Sequence, residues 1–163
     1  MSIQKGDPIP DAKLFDRDES GAARVILASE RFAGKRIVLF AVPGAFTRTC
    51  SEKHMPGLVQ HADAIKARGI DEIVCVAVND ATVLAAWARE RDAAGKVRML
   101  SDGLCEFTRA MGLEQDLSSR GFGMRSKRYA MLIEDGKVTD ISVEPSGEYG
   151  VSSAEAVLQR LRA

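Results

Sequence analysis

The sequence predicts an α/β fold, with a mixed central sheet flanked by helices and an N-terminal hairpin extension. Two continuous apolar runs, residues 37–42 and 73–78, have the length and branching of strands that are covered on both faces. The stretch between them has helical character, which a parallel crossover requires. A third short strand, a hairpin and a final helix complete the alternation. The length fits a single domain over residues 1–163.

The elements of the first half follow from local signals. Short apolar pieces at residues 12–15 and 25–28 flank a polar, acidic turn, which predicts a hairpin at the edge of the sheet. Thr49 and Glu52 have capping-box spacing, so a helix is expected to begin there, after the first buried strand. Pro56 should kink this helix, because its ring cannot coexist with the ladder hydrogen bond.

The second half continues the alternation. Asn79-Asp80 has the side chains of a helix cap, and it precedes a helix with Trp87 on its apolar face. Asp135-Gly136 indicates a tight turn between antiparallel strands. Ser152 and Glu155 predict the start of the final helix. The remaining predicted elements are a strand at residues 97–100, a short helix at 107–111, and strands at 128–133 and 138–143.

Charge and composition exclude several classes of partner. Lys+Arg and Asp+Glu both count 23, so the net charge of zero offers no attraction to nucleic acid or to an anionic membrane. No apolar run is long enough to span a bilayer, and the first residues lack a signal-peptide core, so the chain is expected to be cytoplasmic. Three cysteines in such a chain indicate buried, catalytic or redox-active thiols rather than a disulfide framework.

Cys50 is the candidate nucleophile. It follows a buried strand at the expected opening turn of a helix, where unpaired N–H groups and the helix dipole stabilise a thiolate. Catalytic groups on sheets of this kind lie beyond the carboxyl ends of the strands. Thr47 and Thr49 are polar neighbours, and Pro43 forms a tight turn that can shield one side of the pocket. The alternative is that Cys50 is a small buried hydrophobic residue.

Pro43, Thr47 and Cys50 match the Pro-x-x-x-Thr-x-x-Cys signature of the peroxiredoxins, and the chain resembles the type II peroxiredoxins (the peroxiredoxin V class of the thioredoxin-like superfamily) over nearly its whole length. The resemblance implies a thioredoxin-like fold and a Cys50 that attacks a peroxide O–O bond and becomes sulfenic acid. It also assigns Arg128 as the active-site arginine. The likeness is carried by residues 42–47, 50–51, 53–54, 56–57, 76–80, 86–88, 112–114, 125–128 and 151–155.

Each implied site residue has a chemical role. Arg128 is permanently cationic, so it can favour the thiolate and orient the peroxide. The backbone N–H groups of Thr49 and Cys50 should face the substrate at the helix start. The Thr47 hydroxyl can accept from the peroxide and donate to it or to sulfur. Pro43 limits the access of water. No cofactor is needed, because sulfur itself carries the redox change.

Two alternatives concern neighbouring residues. Without the resemblance, Arg128 is more simply interpreted as part of a solvated basic cluster. His54 follows Cys50 by four residues and shares its helix face. A general base is one interpretation, but the peroxiredoxin scheme needs none, so packing or capping is the favoured role. Zinc needs three or four ligands, whereas the chain offers two histidines and three scattered cysteines, so no metal is expected.

The other two cysteines raise the question of how the sulfenic acid is reduced. Cys75 lies inside an apolar strand, where it is either a packing residue or, as the resemblance to plant members implies, a resolving cysteine. Other members of the class carry a resolving cysteine in the region of Ser152 and Ser153, and this chain has serine at both positions. Cys105 begins a helix but has no role in the family pattern. If neither thiol resolves, glutathione with glutaredoxin, or thioredoxin, is the implied reductant.

The resemblance therefore implies a thiol peroxidase for hydrogen peroxide and alkyl hydroperoxides, acting as a homodimer whose contact involves loops near the active site. A redox sensor that relays oxidation to a partner protein would have an identical site and stays open. A thioredoxin-fold disulfide oxidoreductase is disfavoured, since no Cys-x-x-Cys follows the first buried strand.

Overall fold

A computed structural model describes residues 2–161, and its centre is a seven-stranded mixed sheet. The strands are β1 (Lys13–Arg17), β2 (Ala23–Leu27), β3 (Arg36–Ala41), β4 (Glu72–Ala77), β5 (Arg98–Ser101), β6 (Glu114–Asp116), β7 (Met124–Ser126), β8 (Tyr129–Glu134) and β9 (Lys137–Val143). The helices are α1 (Ala28–Phe32), α2 (Met55–Lys66), α3 (Ala81–Glu90), α4 (Glu106–Ala110) and α5 (Ala154–Arg160), and a π-helical turn (Cys50–His54) leads into α2.

The strand order in the main sheet is β2-β1-β5-β4-β3-β8-β9. Strand β4 runs parallel to both β3 and β5, whereas β8 and β9 are antiparallel. The N-terminal hairpin of β1 and β2 attaches at the β5 edge. These pairings confirm the predicted α/β fold with a mixed sheet and an N-terminal hairpin extension.

The apolar runs of β3 and β4 are covered on both faces, as their composition predicted. Val38 and Phe40 point into one core, which α2, α3 and α5 cover, and Ile37 and Leu39 point into a second core beneath α1 and α4. A strand that is buried on both faces needs apolar residues at consecutive positions, which explains the unbroken run. The functional loop that follows β3 therefore extends from the rigid centre of the molecule.

Two of the predicted turns and caps are confirmed. Asp135 and Gly136 both have positive φ, 48° and 76°, as a tight β8–β9 hairpin requires. The Asp80 carboxylate accepts a hydrogen bond from the Val83 N–H at 2.8 Å and caps α3. Asn79, by contrast, does not cap this helix: its side-chain oxygen accepts from the Ala45 N–H at 2.9 Å and so ties down the loop after β3.

The helix that follows Cys50 begins differently from the prediction. Thr49 makes no capping hydrogen bond, and the Met55 N–H instead donates to the Cys50 carbonyl, which closes a π-helical turn. Pro56 has no N–H for an α-helical ladder, so it occupies the first turn of α2, where no donor is required. Pro56 is thus accommodated at a helix start that follows a wider turn, and the expected kink stays a prediction.

Two other expectations need correction. The cap of α5 is Ser153, which accepts from the Ala156 N–H, because the hydroxyl of Ser152 is already engaged by Glu144. The two-stranded sheet of β6 and β7 was missed, since strands of three mainly polar residues carry no periodic signal. No helix within residues 2–161 is long and apolar enough to cross a membrane.

Candidate active site

Cys50 lies at the start of the π-helical turn, with its side chain fully buried. Its neighbour Ser51 donates its N–H to the Thr47 carbonyl at 2.9 Å and accepts from the indole N–H of Trp87 through its hydroxyl at 2.9 Å. The N–H groups of Thr49 and Cys50 find no acceptor among the residues that the structure describes. These two donors are therefore available to a further acceptor.

Arg128 reaches the Cys50 sulfur. It directly precedes β8, and its Nη2 donates to Cys50 Sγ at 3.1 Å. Strand alternation places it on the same side as Ala130, which belongs to the core that contains Cys50. The side chain is only 9% exposed, so the solvated-cluster interpretation is wrong. A cation at this distance favours the thiolate form of cysteine.

The Thr47 hydroxyl makes a hydrogen bond to a backbone carbonyl of its own loop. Its Oγ1 donates to the Gly44 carbonyl at 2.6 Å, so its proton is not available to sulfur or to a peroxide oxygen. The expectation that Thr47 could donate to sulfur is therefore corrected. Its oxygen keeps free lone pairs, so it can still accept a hydrogen bond from an O–H group.

The loop that carries Pro43 is fixed from two sides. The Pro43 carbonyl accepts from Arg125 Nη1 at 3.3 Å, and the Ala45 N–H is bound by Asn79. A Cβ on Gly44 would lie 2.8 Å from Arg125 Nη1, so a larger residue there would displace the Arg125 guanidinium. Phe46 has a φ of 63°, a conformation that costs a non-glycine residue about 1 kcal/mol. Such strain is typical of functional loops.

His54 is the site residue whose role sequence reasoning missed. Arg128 Nη1 donates to His54 Nδ1 at 2.9 Å, and His54 Nε2 donates to the Ser152 carbonyl at 2.9 Å. Burial, reinforced by the charge of Arg128, lowers the pKa of His54 from 6.5 to about 3. The four-residue spacing predicts that His54 lies on the same helix face as Cys50, but it does not predict that Arg128 and Ser152 are the hydrogen-bond partners of His54.

Glu144 is a second residue without a sequence signal. Its carboxylate is buried and accepts from the N–H groups of Gly150 and Ser152, at 2.6 and 2.8 Å, and from the Ser152 hydroxyl at 2.6 Å. Burial works against the charged form, but these hydrogen bonds outweigh it and lower the pKa of Glu144. Glu144 thereby fixes Ser152, whose carbonyl anchors His54.

The neutral state of His54 predicts an acid-sensitive fold. In the unfolded chain this histidine binds a proton below about pH 6.5, whereas in the folded protein it does so only near pH 3. Between these values the unfolded state holds more protons, so the free energy of unfolding should fall by about 1.4 kcal/mol for each pH unit lost. Urea denaturation at pH 7, 5.5 and 4.5 measures this loss.

The control for the pH experiment is His54→Asn, which removes the titrating group. The Glu144 carboxylate, whose pKa is lowered, remains in the variant and contributes its own acid sensitivity at lower pH. The variant should lose less stability than the parent between pH 6.5 and 4.5. Equal slopes in the two proteins over this interval would contradict a neutral buried imidazole.

The other thiols are placed away from solvent. Cys75 lies in the middle of β4, beside Phe40 on one neighbouring strand and Met99 on the other, and burial raises its pKa. Cys105 precedes α4, and burial raises its pKa although Arg109 stands nearby. All three cysteines are free. Within residues 2–161, no group of three histidine, cysteine or acidic side chains could hold a metal ion.

A cleft of about 750 Å³ opens beside the site, with Pro43, Thr47, Thr49 and Arg128 in its wall. Residues of the 117–122 segment and of the 143–148 segment form the remaining walls. The apolar lining residues include Phe46, Leu117, Phe122, Val143 and Pro145, and the cationic ones include Arg48, Arg120 and Lys127. The arrangement places a buried cysteine next to a guanidinium that lines a cleft large enough for a small molecule.

Comparison with known proteins identifies the chain. A family model described as Redoxin matches residues 4–158. Peroxiredoxin-2B of Arabidopsis thaliana is 43% identical over 159 residues, which cover 98% of each protein. This chain belongs to the peroxiredoxins. The type II resemblance is confirmed, and this peroxiredoxin is a thiol peroxidase that reduces peroxides at the expense of thiols.

Solved structures agree with this assignment. Reduced Prx3 from Vibrio vulnificus in complex with hydrogen peroxide is 46% identical to this peroxiredoxin, with a TM-score of 0.94 over 98% of this chain and 99% of that one. Peroxiredoxin 5 from Alvinella pompejana is 38% identical, with a TM-score of 0.83 over 98% and 97% of the two chains. These matches confirm the thioredoxin-like fold.

Proposed function

We propose that Cys50 is the peroxidatic cysteine of this thiol peroxidase. The Cys50 thiolate attacks one oxygen of the peroxide, an S–O bond forms and the O–O bond breaks. Sulfur is oxidised to sulfenic acid, and the departing oxygen takes up a proton from water and leaves as water or an alcohol. The observation that carries the proposal is the 3.1 Å contact between Arg128 Nη2 and Cys50 Sγ, beside two N–H groups that have no acceptor within residues 2–161.

The other site residues act on the peroxide. Arg128 and the N–H groups of Thr49 and Cys50 stabilise the negative charge that develops on the departing oxygen. Thr47 accepts the hydrogen bond of the peroxide O–H, since its own proton is held by Gly44. Pro43 lines the cleft without offering a proton and limits water access.

We infer that a thiol from outside the chain reduces the sulfenic acid. That thiol displaces water from Cys50 to form a mixed disulfide, and a second thiol releases reduced Cys50 and a disulfide product. Cys75 is less suited to this role, because it would have to leave the centre of β4, and its buried thiol is kept protonated. Its assignment as a resolving cysteine stays a prediction without support from this geometry.

Intact mass spectrometry after one equivalent of hydrogen peroxide tests the cycle. We expect a gain of about 16 Da for the sulfenic acid, which glutathione converts to a mixed disulfide. A loss of about 2 Da would instead show an internal disulfide and would contradict the external-thiol cycle. Cys75→Ser is the matched control, because it should give the same products as the parent protein.

The cleft lining holds four cations, Arg48, Arg120, Lys127 and Arg128, against two carboxylates, Glu144 and Glu148. This excess of positive charge supports an anionic reductant such as glutathione, used directly or through glutaredoxin. Arg120 and Lys127 line the cleft and make no ion pair among the described residues, although the chain as a whole has no net charge. These two cations of the cleft wall attract the carboxylates of a small thiol peptide. Thioredoxin remains the alternative reductant.

Reversing the charge of Arg120 tests this assignment. Arg120→Glu should raise the KM for glutathione about three- to tenfold and leave the rate of Cys50 oxidation by hydrogen peroxide unchanged. Lys5→Glu is the matched control, because it makes the same charge change away from the cleft. Lys5 precedes Gly6, which bonds to Val138 near the start of β9, whereas Val143 at the other end of β9 lines the cleft. Unchanged glutathione kinetics in Arg120→Glu, with thioredoxin supporting turnover, would favour the alternative.

We also propose that this peroxiredoxin forms a homodimer. Phe46 and Phe122 are large apolar residues of the cleft that are 47% and 38% exposed, which supports a homodimer with its contact near the active site. The cytoplasm is the proposed compartment, and one domain over residues 1–163 is the proposed organisation.

Sustained turnover with glutathione or thioredoxin would separate the peroxidase from a redox sensor, which would stall after one oxidation.

A further inference from the structure

The guanidinium of Arg128 divides its hydrogen bonds between two acceptors of one helical turn. Its Nη2 donates to Cys50 Sγ at 3.1 Å, and its Nη1 donates to His54 Nδ1 at 2.9 Å. A guanidinium has no acceptor atom, so Nδ1 must be the unprotonated nitrogen of the ring. The proton therefore lies on Nε2, which donates to the Ser152 carbonyl at 2.9 Å. Only one tautomer of His54 satisfies both contacts.

We propose that neutral His54 is a positioning residue that holds the Arg128 guanidinium against the Cys50 sulfur. The inference rests on the proposed roles of Cys50 and Arg128. Arginine has a long side chain with several rotatable bonds, and one contact leaves its planar head free to turn. Two contacts through different nitrogens fix the plane. Because Cys50 and His54 lie in the same π-helical turn, they present their acceptors as a rigid pair.

The imidazole is itself held in place. It packs in T-shaped arrangements with Phe40, at a centroid distance of 5.5 Å, and with Tyr149, at 5.2 Å. The Ser152 carbonyl that accepts its proton belongs to a residue whose N–H and hydroxyl are both bound by Glu144. The orientation of Arg128 over sulfur thus depends on a chain of contacts that leads back to a buried carboxylate.

A neutral acceptor suits this position better than a carboxylate. A carboxylate partner would offset the charge of the guanidinium and weaken its attraction for a thiolate and for a departing oxygen. An imidazole accepts the hydrogen bond without adding negative charge. The low pKa of His54, about 3, keeps it neutral throughout the range in which a peroxidase works. The nearest acid of the network, Glu144, directs its carboxylate to Gly150 and Ser152 instead.

Two substitutions separate the two hydrogen bonds of the ring. His54→Asn places an amide oxygen close to the position of Nδ1 and so keeps the acceptor for Arg128, but it loses the donor to Ser152. His54→Gln reaches the position of Nε2 and keeps the donor to Ser152, but it loses the acceptor for Arg128. Both variants are neutral and polar, so they serve as controls for each other.

The expected result is asymmetric. His54→Gln should lower the second-order rate constant of Cys50 with hydrogen peroxide by about ten- to a hundredfold, the effect of a lost charge-assisted hydrogen bond, and should move the pH profile of Cys50 alkylation upward. His54→Asn should stay within about threefold of the parent in both measurements. A purely structural role would instead make the rates of both variants follow their Tm values.

Two further variants make the inference testable even if His54→Gln fails to fold. His54→Asp supplies an acceptor with a charge and should lower the peroxide rate about tenfold, since it offsets the guanidinium. In an Arg128→Met background, loss of the His54 acceptor should have no further effect. Parent-like rates in His54→Asp, or an equal loss with and without Arg128, would overturn the proposal. Failure of the parent Cys50 to react with peroxide would overturn the proposed function itself, which is a distinct outcome.

Discussion

Replacing Cys50 with serine should reduce peroxide turnover to the background rate, a loss of at least about a thousandfold. An un-ionised serine hydroxyl is a poor nucleophile toward peroxide, and its oxygen cannot form a sulfenic acid. The side chain is fully buried and similar in size, and the new oxygen can still accept from Arg128 Nη2, so the fold should persist. Steady-state consumption of hydrogen peroxide with glutathione and glutaredoxin, or with thioredoxin, measures the effect.

The matched controls are the two other cysteines. Cys105→Ser should retain parent-like turnover, because its sulfur is buried before α4 and contributes nothing to the cleft wall. Cys75→Ser should also turn over if an outside thiol completes the cycle, although it places a hydroxyl in the centre of the sheet and should lower the Tm. Comparable activity in Cys50→Ser would remove the proposed mechanism.

Replacing Arg128 with methionine should lower the rate of Cys50 oxidation by about a hundred- to a thousandfold, the usual cost of removing one preorganised donor from a developing charge. Methionine keeps the apolar bulk of the side chain but supplies neither the charge nor the two hydrogen bonds to Cys50 and His54. Stopped-flow measurement of the reaction with hydrogen peroxide follows the loss. Trp87, the only tryptophan of the chain, can report the reaction because it bonds to Ser51, beside Cys50.

Two comparisons sharpen this result. Arg128→Lys keeps a positive charge but lacks the planar fork that reaches sulfur and imidazole together, so it should recover only part of the rate. Arg160→Met removes an arginine whose ion pair with Asp140 lies on the surface, and it should leave the rate unchanged. A rate within threefold of the parent in Arg128→Met would show that other groups activate the sulfur.

Several elements were predictable because they depend on neighbours in the sequence. The unbroken apolar runs of β3 and β4, the Asp80 cap and the Asp135-Gly136 turn each follow from a few adjacent residues. The family signature placed Cys50, Thr47 and Pro43 together for the same reason. The cap of α5 was misplaced by one residue, because a distant carboxylate had engaged Ser152.

The sequence by itself determined the fold class, the family and the sulfur with which peroxide chemistry is proposed to begin, since these are written in local patterns and in one compact motif. Only the tertiary structure decided which groups control that sulfur. Arg128 lies 78 positions from Cys50 and 74 from His54, and His54 lies 98 from Ser152. A hydrogen bond depends on distances of about 3 Å between particular atoms, and folding alone brings atoms so far apart in the chain within that range.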